Sequence, residues 1–535
     1  MSLFSDAADL ATRFRFNISI VWILALAAAA AACIPLGYLI VRAAGADADA
    51  WSKILSDSTL RLLLNTAGLA LAVTATSAAL SLPIAYLTER TDLPFARWWR
   101  SITIVPLAIP SYVGAFAFII ALGPHGSLQD LLAPLGVESI PEIYGFVGAW
   151  LVLTLFTFPY LLIVIRAGLR DLDPAIEEAA RSLGQSAWGA FWRVTVPQLR
   201  VPLAAGSLLV ALYVISDFGA VSMMRFDTFT RAIYVRFGST FDRESVAVLS
   251  LVLVALVALV LTLDWSQRRN ARYHRLGGGA ARTPRLVQLR RYRWPALIGL
   301  SVVTAVALLV PVAVLFHWLS VGLRAGETFP DLWDSALNSL YTSALAGAVT
   351  VAVAIPIVIV IVRRPGVLSR VVDRAAYVGY ALPGVVVAFA LIFFTLRTVP
   401  ILYQTLATLI FAYAVLFLPQ AISGLRASLV RVQPGLEEAA HSLSRSSWQT
   451  FYSVTLPLIT PGVLAGFALV FLTTMKELPA TLLLSPIGFE TLATDLWVQQ
   501  EDVFFARAAA NGLLLLACAA LPMIILFGHE RDLRA

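Results

Sequence analysis

The chain contains 535 residues, of which 59% are hydrophobic and 13% are charged, and it carries a formal net charge of +7. Soluble globular domains carry about 25% charged residues, so this composition excludes an ordinary soluble protein and favours a membrane protein. The only two lysines, Lys53 and Lys476, do not complete the pattern G-x-x-x-x-G-K-[ST], which excludes an ATPase of the P-loop kind.

Twelve apolar segments follow one another along the chain, each close to the roughly 20 residues that a helix needs to cross a bilayer. The first segment is too long for the core of a signal peptide, so we expect it to remain as a span. The two cysteines, Cys33 and Cys518, lie far apart inside apolar runs, which argues against a disulfide framework or a metal site. The predicted spans form two sets of six, at 18–40, 59–88, 101–122, 145–168, 201–224 and 244–265, and at 296–322, 335–362, 374–396, 402–424, 459–484 and 506–528. The predicted fold class is therefore an all-α polytopic membrane protein.

Arginine and lysine concentrate in alternate connections between these spans. With the N-terminus in the cytoplasm, the cytoplasmic segments collect 28 of the 39 basic residues, as the positive-inside rule requires. Residues 267–293 hold nine arginines and Gly277–Gly279, which favours an exposed cytoplasmic linker near anionic lipid over a nucleic-acid site. We predict a multi-pass protein of a bacterial inner (plasma) membrane, with both termini in the cytoplasm.

One polar stretch occurs twice. Residues 174–206 recur at 434–466 without a gap, and 15 of the 33 positions are identical. Pro110 also aligns with Pro383, at an offset of 273 residues, and the first copy carries 13 more residues in a predicted outside loop around 123–143. An internal repeat of this size indicates two copies of one unit. Each copy has an even number of spans, so we expect parallel repeats with a pathway between them. The predicted domains are a six-span half at 1–266, the linker at 267–293 and a six-span half at 294–535.

The repeated stretch has the features of a short helix that is exposed to a partner. Asp173 is a good N-cap, Pro174 suits the first helical position, and Gly184 is placed to end the helix. An aromatic cluster follows, with Trp188 and Trp192 among its members. Such a helix is suited to docking in the groove of another protein. The alternative is a helix that lies on the membrane surface, anchored by its tryptophans.

At this point the sequence resembles a family. Glu178-Ala179-Ala180, followed by Gly184 and later by Val194-x-Val196-Pro197, looks like the EAA loop of binding-protein-dependent ABC importer permeases. The second copy matches at Glu438-Ala439-Ala440, but Ser444 replaces the glycine, which puts the geometry of its turn in question. The resemblance implies the type I ABC importer permease fold, with EAA loops at 169–200 and 426–460.

The resemblance also implies partners for the chain. In this family the loop forms a coupling helix that seats in a cleft on a separate cytoplasmic ABC ATPase, expected here as a homodimer that holds ATP and magnesium. A periplasmic or lipid-anchored substrate-binding protein is expected on the other side, while the chain itself is expected to bind no cofactor or nucleic acid and not to be an enzyme. The residues implied in ATPase coupling are Glu177, Glu178, Ala179, Ala180, Gly184, Glu437, Glu438, Ala439, Ala440 and Ser444.

The substrate is a harder question, and two carboxylates bear on it. Asp217 and Glu477 align at an offset of 260 residues, near the ends of the predicted fifth and eleventh spans. Ionisable residues at membrane depth usually face a cavity or a partner, and carboxylates suit a hard cation such as Fe³⁺. The pair is thus a candidate for the translocation path and for transient contact with iron, with no fixed metal site. The alternative is that each carboxylate only hydrogen-bonds a helix end, with Glu477 paired to Lys476 or Arg507.

The stretches around these carboxylates look most like ferric iron permeases, which often fuse two six-span halves in one chain. Thiamine and phosphonate importers share the architecture and remain the alternative cargoes. An ion-coupled secondary transporter is a remote alternative, because that class favours inverted repeats and broken helices at mid-membrane.

Overall fold

The computed structural model describes residues 20–52, 54, 56–123, 129, 142–239, 243–270 and 286–532. Two predicted features lie partly outside these ranges: the extra loop around 123–143 and the middle of the linker at 271–285. The described residues form helices and no strand.

The helices of the first half carry the labels α1 to α14. They are α1 (Ile20–Ala32), α2 (Ile34–Ala44), α3 (Ala48–Ser52), α4 (Asp57–Arg90), α5 (Ala96–Ile102), α6 (Ser111–Leu122), α7 (Phe146–Asp171), α8 (Pro174–Ser182), α9 (Ala187–Ala190), α10 (Val196–Gln198), α11 (Arg200–Ser216), α12 (Gly219–Met223), α13 (Phe229–Ser239) and α14 (Arg243–Asn270).

The helices of the second half carry the labels α15 to α26. They are α15 (Arg293–Thr304), α16 (Val310–Arg324), α17 (Leu332–Arg363), α18 (Val367–Ala376), α19 (Gly384–Thr398), α20 (Leu406–Leu429), α21 (Pro434–Ser442), α22 (Ser447–Thr450), α23 (Leu456–Met475), α24 (Pro479–Leu484), α25 (Leu492–Glu501) and α26 (Phe505–Asp532). Short π-helical turns at Phe191–Thr195, Ala305–Leu309 and Phe451–Thr455 join neighbouring helices.

The membrane spans agree with the predicted fold class. Within the described residues, seven helices are long and apolar enough to cross a membrane, and the number rises to eleven if each of four bent pairs is one span. The twelfth predicted span, 506–528, coincides with α26. The apolar stretch Phe505–Ala519 within α26 is shorter than a full membrane span. The prediction of an all-α polytopic membrane protein is confirmed.

The third and ninth predicted spans are not straight. Ala96–Ala108 meets α6 at 90°, and Val367–Ala381 meets α19 at 105°. Each bend falls at a proline of the repeat, Pro110 or Pro383, because proline forces the residue before it out of the helical conformation. At 1.5 Å per residue α6 is only about 18 Å long, too short to cross a 30 Å core alone. The spans predicted at 101–122 and 374–396 therefore each consist of two helices that meet at a bend.

The fifth and eleventh predicted spans also contain a break. α11 stops at Ser216 and the chain turns through Asp217 before the short helix α12. In the second copy α23 stops at Met475, and α24 begins after Glu477. Each candidate carboxylate therefore lies in the break itself, at the start of a short helix.

The described residues pack as two compact units. Unit 1 draws on the described residues within Met1–Ala46, Thr328–Val503 and Ala510–Ala535, and unit 2 on those within Asp47–Glu327 and Phe504–Ala509. The predicted division at 266 and 294 marks the sequence repeats, whereas the packing exchanges the first span of each repeat.

Small residues explain how α1 enters unit 1. Ala25, Ala29 and Ala32 recur on one face of α1 and are buried in one apolar cluster with Val351 and Ala354 of α17. Small side chains at this spacing allow two membrane helices to approach closely. In unit 2 the corresponding seventh span is held by aromatic packing, with the rings of Trp318 and Phe505 5.1 Å apart.

The end of the linker is attached to unit 2. The backbones of Thr91 and Val287 form a parallel bridge, and Asp92 accepts hydrogen bonds from the Leu289 amide (2.8 Å) and from Arg293 (3.0 Å). The Leu289 amide bond, with the Arg293 guanidinium beside it, holds the pKa of the Asp92 carboxyl below its ordinary value of 3.8.

Candidate functional site

The two repeated loops fold as the sequence predicts. In the loop at 169–200, α8 begins at Pro174, and the Asp173 carboxylate caps it by accepting the Ala175 amide at 2.9 Å. In the loop at 426–460, α21 begins at Pro434, but Gln433 makes no side-chain cap. The first copy of the helix is therefore the better capped of the two.

Both helices end in the same left-handed turn, although only one has glycine. Gly184 has φ +90°, and Ser444 has φ +62°. The turn hydrogen bonds also match, since the amides of Gln185 and Arg445 reach back to the carbonyls of Ala180 and Ala440, each at 3.2 Å. The replacement by Ser444 keeps the geometry of the turn but places a side chain in a region that favours glycine.

The first glutamate of each pair is turned inward and holds its loop. Glu177 accepts hydrogen bonds from Tyr86 (3.2 Å) and from Thr195 (3.2 Å). Glu437 accepts from Arg363 (3.1 Å) and from Thr455 (3.0 Å). These bonds tie α8 to the end of α4 and α21 to the end of α17, and they tie both helices to the π-helical turn that follows.

The second glutamate of each pair differs. Glu178 is half-buried and Glu438 is exposed, and within the described residues neither carboxylate makes a side-chain hydrogen bond or ion pair. Large apolar side chains are exposed beside them at equivalent positions of the two copies: Ile176 and Leu436, Leu183 and Leu443, Trp188 and Trp448. Ala179 and Ala439 are exposed as well. Each loop thus presents an open carboxylate within an apolar surface, an arrangement that suits a protein partner.

Asp217 is buried and acts as the cap of a helix. Its Oδ1 accepts the amide of Ala220 at 3.0 Å and that of Val221 at 3.4 Å, and its Oδ2 accepts the hydroxyl of Ser111 at the start of α6. Because every oxygen has a donor, the bond network accounts for burial of this carboxylate without a ligand.

Glu477 occupies the equivalent place in the second copy. Its Oε2 accepts the amides of Ala480 (3.0 Å) and Thr481 (3.3 Å). Gly384 stands where the first copy has Ser111, so the longer glutamate fills the space that the serine side chain occupies there. The Arg507 guanidinium, suggested as a partner of Glu477, lies 3.1 Å from Glu327.

The geometry therefore favours the helix-end alternative for both carboxylates, and the contact with iron stays a prediction. Across the described ranges, no cluster of three or more histidine, cysteine, aspartate or glutamate side chains has the geometry of a metal site.

Sequence reasoning missed the residues that anchor the loops. Thr195 and Thr455 stand at the same position of the repeat, as the stretches Val194-Thr195 and Val454-Thr455 show. That identity is the signal that could have found them. Arg363 aligns with Arg90, which donates to the carbonyls of Leu169 and Leu172 rather than to a glutamate, so the shared arginine alone does not identify the anchor. Tyr86 carries no such signal, because Ile359 stands at its position in the second copy.

The comparisons with known proteins decide the family. The family model described as "Binding-protein-dependent transport system inner membrane component" matches residues 81–273 and again 353–535. The chain belongs to this family. It is thus a membrane component of an ABC importer, present as two fused copies of the family domain.

Relatives cover nearly the whole chain. The Fe(3+)-transport system permease protein FbpB 2 of Haemophilus influenzae is 33% identical over 92% of this chain and 95% of its own length. A putative ferric transport system permease protein, FbpB 1, of the same organism is 24% identical over 81% of this chain and 71% of its own length. The ferric transport system permease protein FbpB of Actinobacillus pleuropneumoniae is 23% identical over 88% of this chain and 70% of its own length.

Proposed function

We propose that the chain is the permease subunit of an ATP-driven ferric iron importer, coupled to a separate ATPase through its two repeated loops. The observation that supports the coupling is that the two glutamates of each pair have different surroundings. Glu177 and Glu437 secure the loops, while Glu178 and Glu438 are left open within an exposed apolar surface. A securely held loop can transmit a force that a loosely held loop would absorb.

Ferric iron is the proposed cargo because permeases named for ferric or Fe(3+) transport align with this chain over most of their length. Asp217 and Glu477 are the proposed transient contacts for the cation at the breaks of their spans. A substrate-binding protein delivers the iron from outside, and thiamine or a phosphonate is the alternative cargo.

In the proposed cycle the ATPase pair binds ATP on the cytoplasmic side and closes. Closure draws the two loops together, and each loop moves the long helix to which its inward glutamate is bonded. The path then opens to the other side of the membrane. ATP and magnesium belong to the partner throughout this cycle.

The coupling is tested by reversing the open charges, with Glu178→Arg and Glu438→Arg in one chain. We expect loss of ATPase association and of iron uptake, with normal membrane insertion. The matched control is Glu142→Arg with Glu501→Arg, which reverses two exposed glutamates outside the loops and retains the ATPase. Normal iron uptake by the variant with Glu178→Arg and Glu438→Arg would refute the proposed coupling.

The cargo is tested separately in proteoliposomes that contain the chain, its ATPase and its binding protein. We expect ATP-dependent uptake of radioactive iron that excess thiamine or phosphonate does not reduce. Uptake of either organic compound in place of iron would leave the coupling intact and overturn the cargo.

A further inference from the structure

A groove of about 990 Å³ opens in unit 1 between α1, α17 and the loop at 426–460. Most of its wall is aliphatic, with Ile20, Leu24 and Ala28 on one side and Val353 and Ile359 on the other. Its volume is at the upper end of the range of small-molecule sites, and its shape follows two helices along the membrane.

Polarity changes along the groove in one direction. On the α17 side the apolar wall begins at Val349 and ends at Arg363 and Arg364, about 21 Å further along at 1.5 Å per residue. Glu437 and His441 line the same end. The groove is thus an apolar channel with one polar, basic mouth.

The charge at that mouth is only partly used within the protein. Arg363 donates to Glu437 and to the Val432 carbonyl, both at 3.1 Å. Arg364 is exposed, and no side-chain hydrogen bond or ion pair to it occurs in the described part of the chain. A guanidinium beside an apolar channel matches a phosphate attached to an acyl chain.

We propose that this groove binds an anionic phospholipid, with an acyl chain along α1 and α17 and the phosphate at Arg364. The orientation predicted from basic residues places the mouth at the cytoplasmic leaflet, where anionic lipids are enriched. The inference does not depend on the cargo of the transporter.

The lipid would act on one loop only. Trp448 and Thr455 of the second loop belong to the wall of the groove, so an occupied groove supports α21 and its anchor. In the first copy Thr91 stands in the place of Arg364, and its backbone is bridged to Val287. The first copy keeps Arg90 at the position of Arg363, but that arginine is buried, so no counterpart of the exposed Arg364 is present there.

The experiment uses the full chain in nanodiscs that contain equal amounts of phosphatidylglycerol and phosphatidylethanolamine, followed by native mass spectrometry of the lipid retained. We expect one phosphatidylglycerol per chain. Ala352→Phe fills the groove and reduces retained lipid at least tenfold, while Arg364→Gln retains lipid but removes the preference for phosphatidylglycerol. The controls Ala30→Phe and Arg374→Gln change exposed positions outside the groove and leave retention unchanged.

Other outcomes overturn the proposal. One is full retention by Ala352→Phe; another is an equal loss of preference in Arg374→Gln. Lipid bound only after deletion of residues 2–15 would assign the groove to the chain's own N-terminus. A loss of ATPase association by Ala352→Phe, with no change in lipid, would assign it to the ATPase. If Ala352→Phe does not fold, Arg364→Gln still decides the charge preference.

Discussion

The Glu477 carboxylate occupies the space that a side chain at Gly384 would need, since a Cβ added to Gly384 would lie 2.4 Å from Glu477 Oε1. In the first copy the equivalent space is filled by a shorter acid and a serine, Asp217 and Ser111, and the serine hydroxyl donates a hydrogen bond to the aspartate. In both copies the carboxylate lies between the break in one span and the proline bend of another, and in the first copy a hydrogen bond links the two. Asp217 with Ser111 and Glu477 with Gly384 thus fill equivalent sites of the two copies with different side chains.

This relationship predicts coupled mutations. Gly384→Ser alone overpacks the site and is expected to cost about 1–3 kcal/mol, measured as a lower melting temperature of the purified chain. Adding Glu477→Asp recreates the pair of the first copy and restores part of the loss. Gly299→Ser is the control, because a Cβ there meets nothing within 4 Å. An unchanged melting temperature for Gly384→Ser would refute the steric argument.

The contact with iron is tested by removing charge while keeping the caps. Asn and Gln accept the same amide hydrogen bonds, so Asp217→Asn with Glu477→Gln preserves the helix starts. We expect normal assembly and slower Fe³⁺ uptake, because two negative charges no longer face the cation. Unchanged uptake kinetics would assign both residues to the helix caps alone.

Neighbouring glutamates of the second loop are expected to give opposite results. Glu437→Ala leaves Arg363 without its carboxylate and costs about 1–3 kcal/mol of stability. Glu438→Ala removes an exposed side chain, so stability is unchanged while association with the ATPase weakens. Thermal unfolding and ATPase pull-down separate the two effects. Equal behaviour of the two variants would contradict the assignment.

The turn after each loop helix gives a prediction with opposite signs. Ser444→Gly relieves a left-handed serine and is expected to stabilise the chain by about 1 kcal/mol. Gly184→Ser introduces the same strain in the first loop and destabilises it by a similar amount. Melting temperatures of the two variants should move in opposite directions, and a common direction would rule the strain out.

The docked end of the linker depends on Asp92. Because folding lowers the pKa of this carboxyl, its stabilising effect is present above pH 3.8 and is lost as the pH falls through the lower folded value. Asp92→Ala removes the acceptor at any pH, so we expect about tenfold faster hydrogen exchange at the Leu289 amide. Asp334→Ala, an exposed aspartate, is the control. Equal exchange rates in both variants would show that the backbone bridge alone holds the linker.

The sequence was most informative where the repeat preserved residues. The duplicated loop predicted its own helix, cap and turn, because each depends on neighbours in the chain. The bends at Pro110 and Pro383 were visible as aligned prolines but not as bends, since hydropathy averages over a window and ignores backbone direction. The helix that packs against α1 could not be predicted from the sequence, because alanines that favour close packing do not specify which helix they meet.

The exchanged first spans set an order for synthesis. α1 is made first, yet its packing partner α17 begins 300 residues later, from Ala32 to Leu332. At roughly 5–20 residues per second, α1 waits about 15–60 s in the lipid before unit 1 can form. A chain cut within the linker would therefore yield two fragments, each holding a helix that belongs to the other's unit. Neither fragment could complete its unit alone, so fusion keeps the exchanged partners in equal number and in one place.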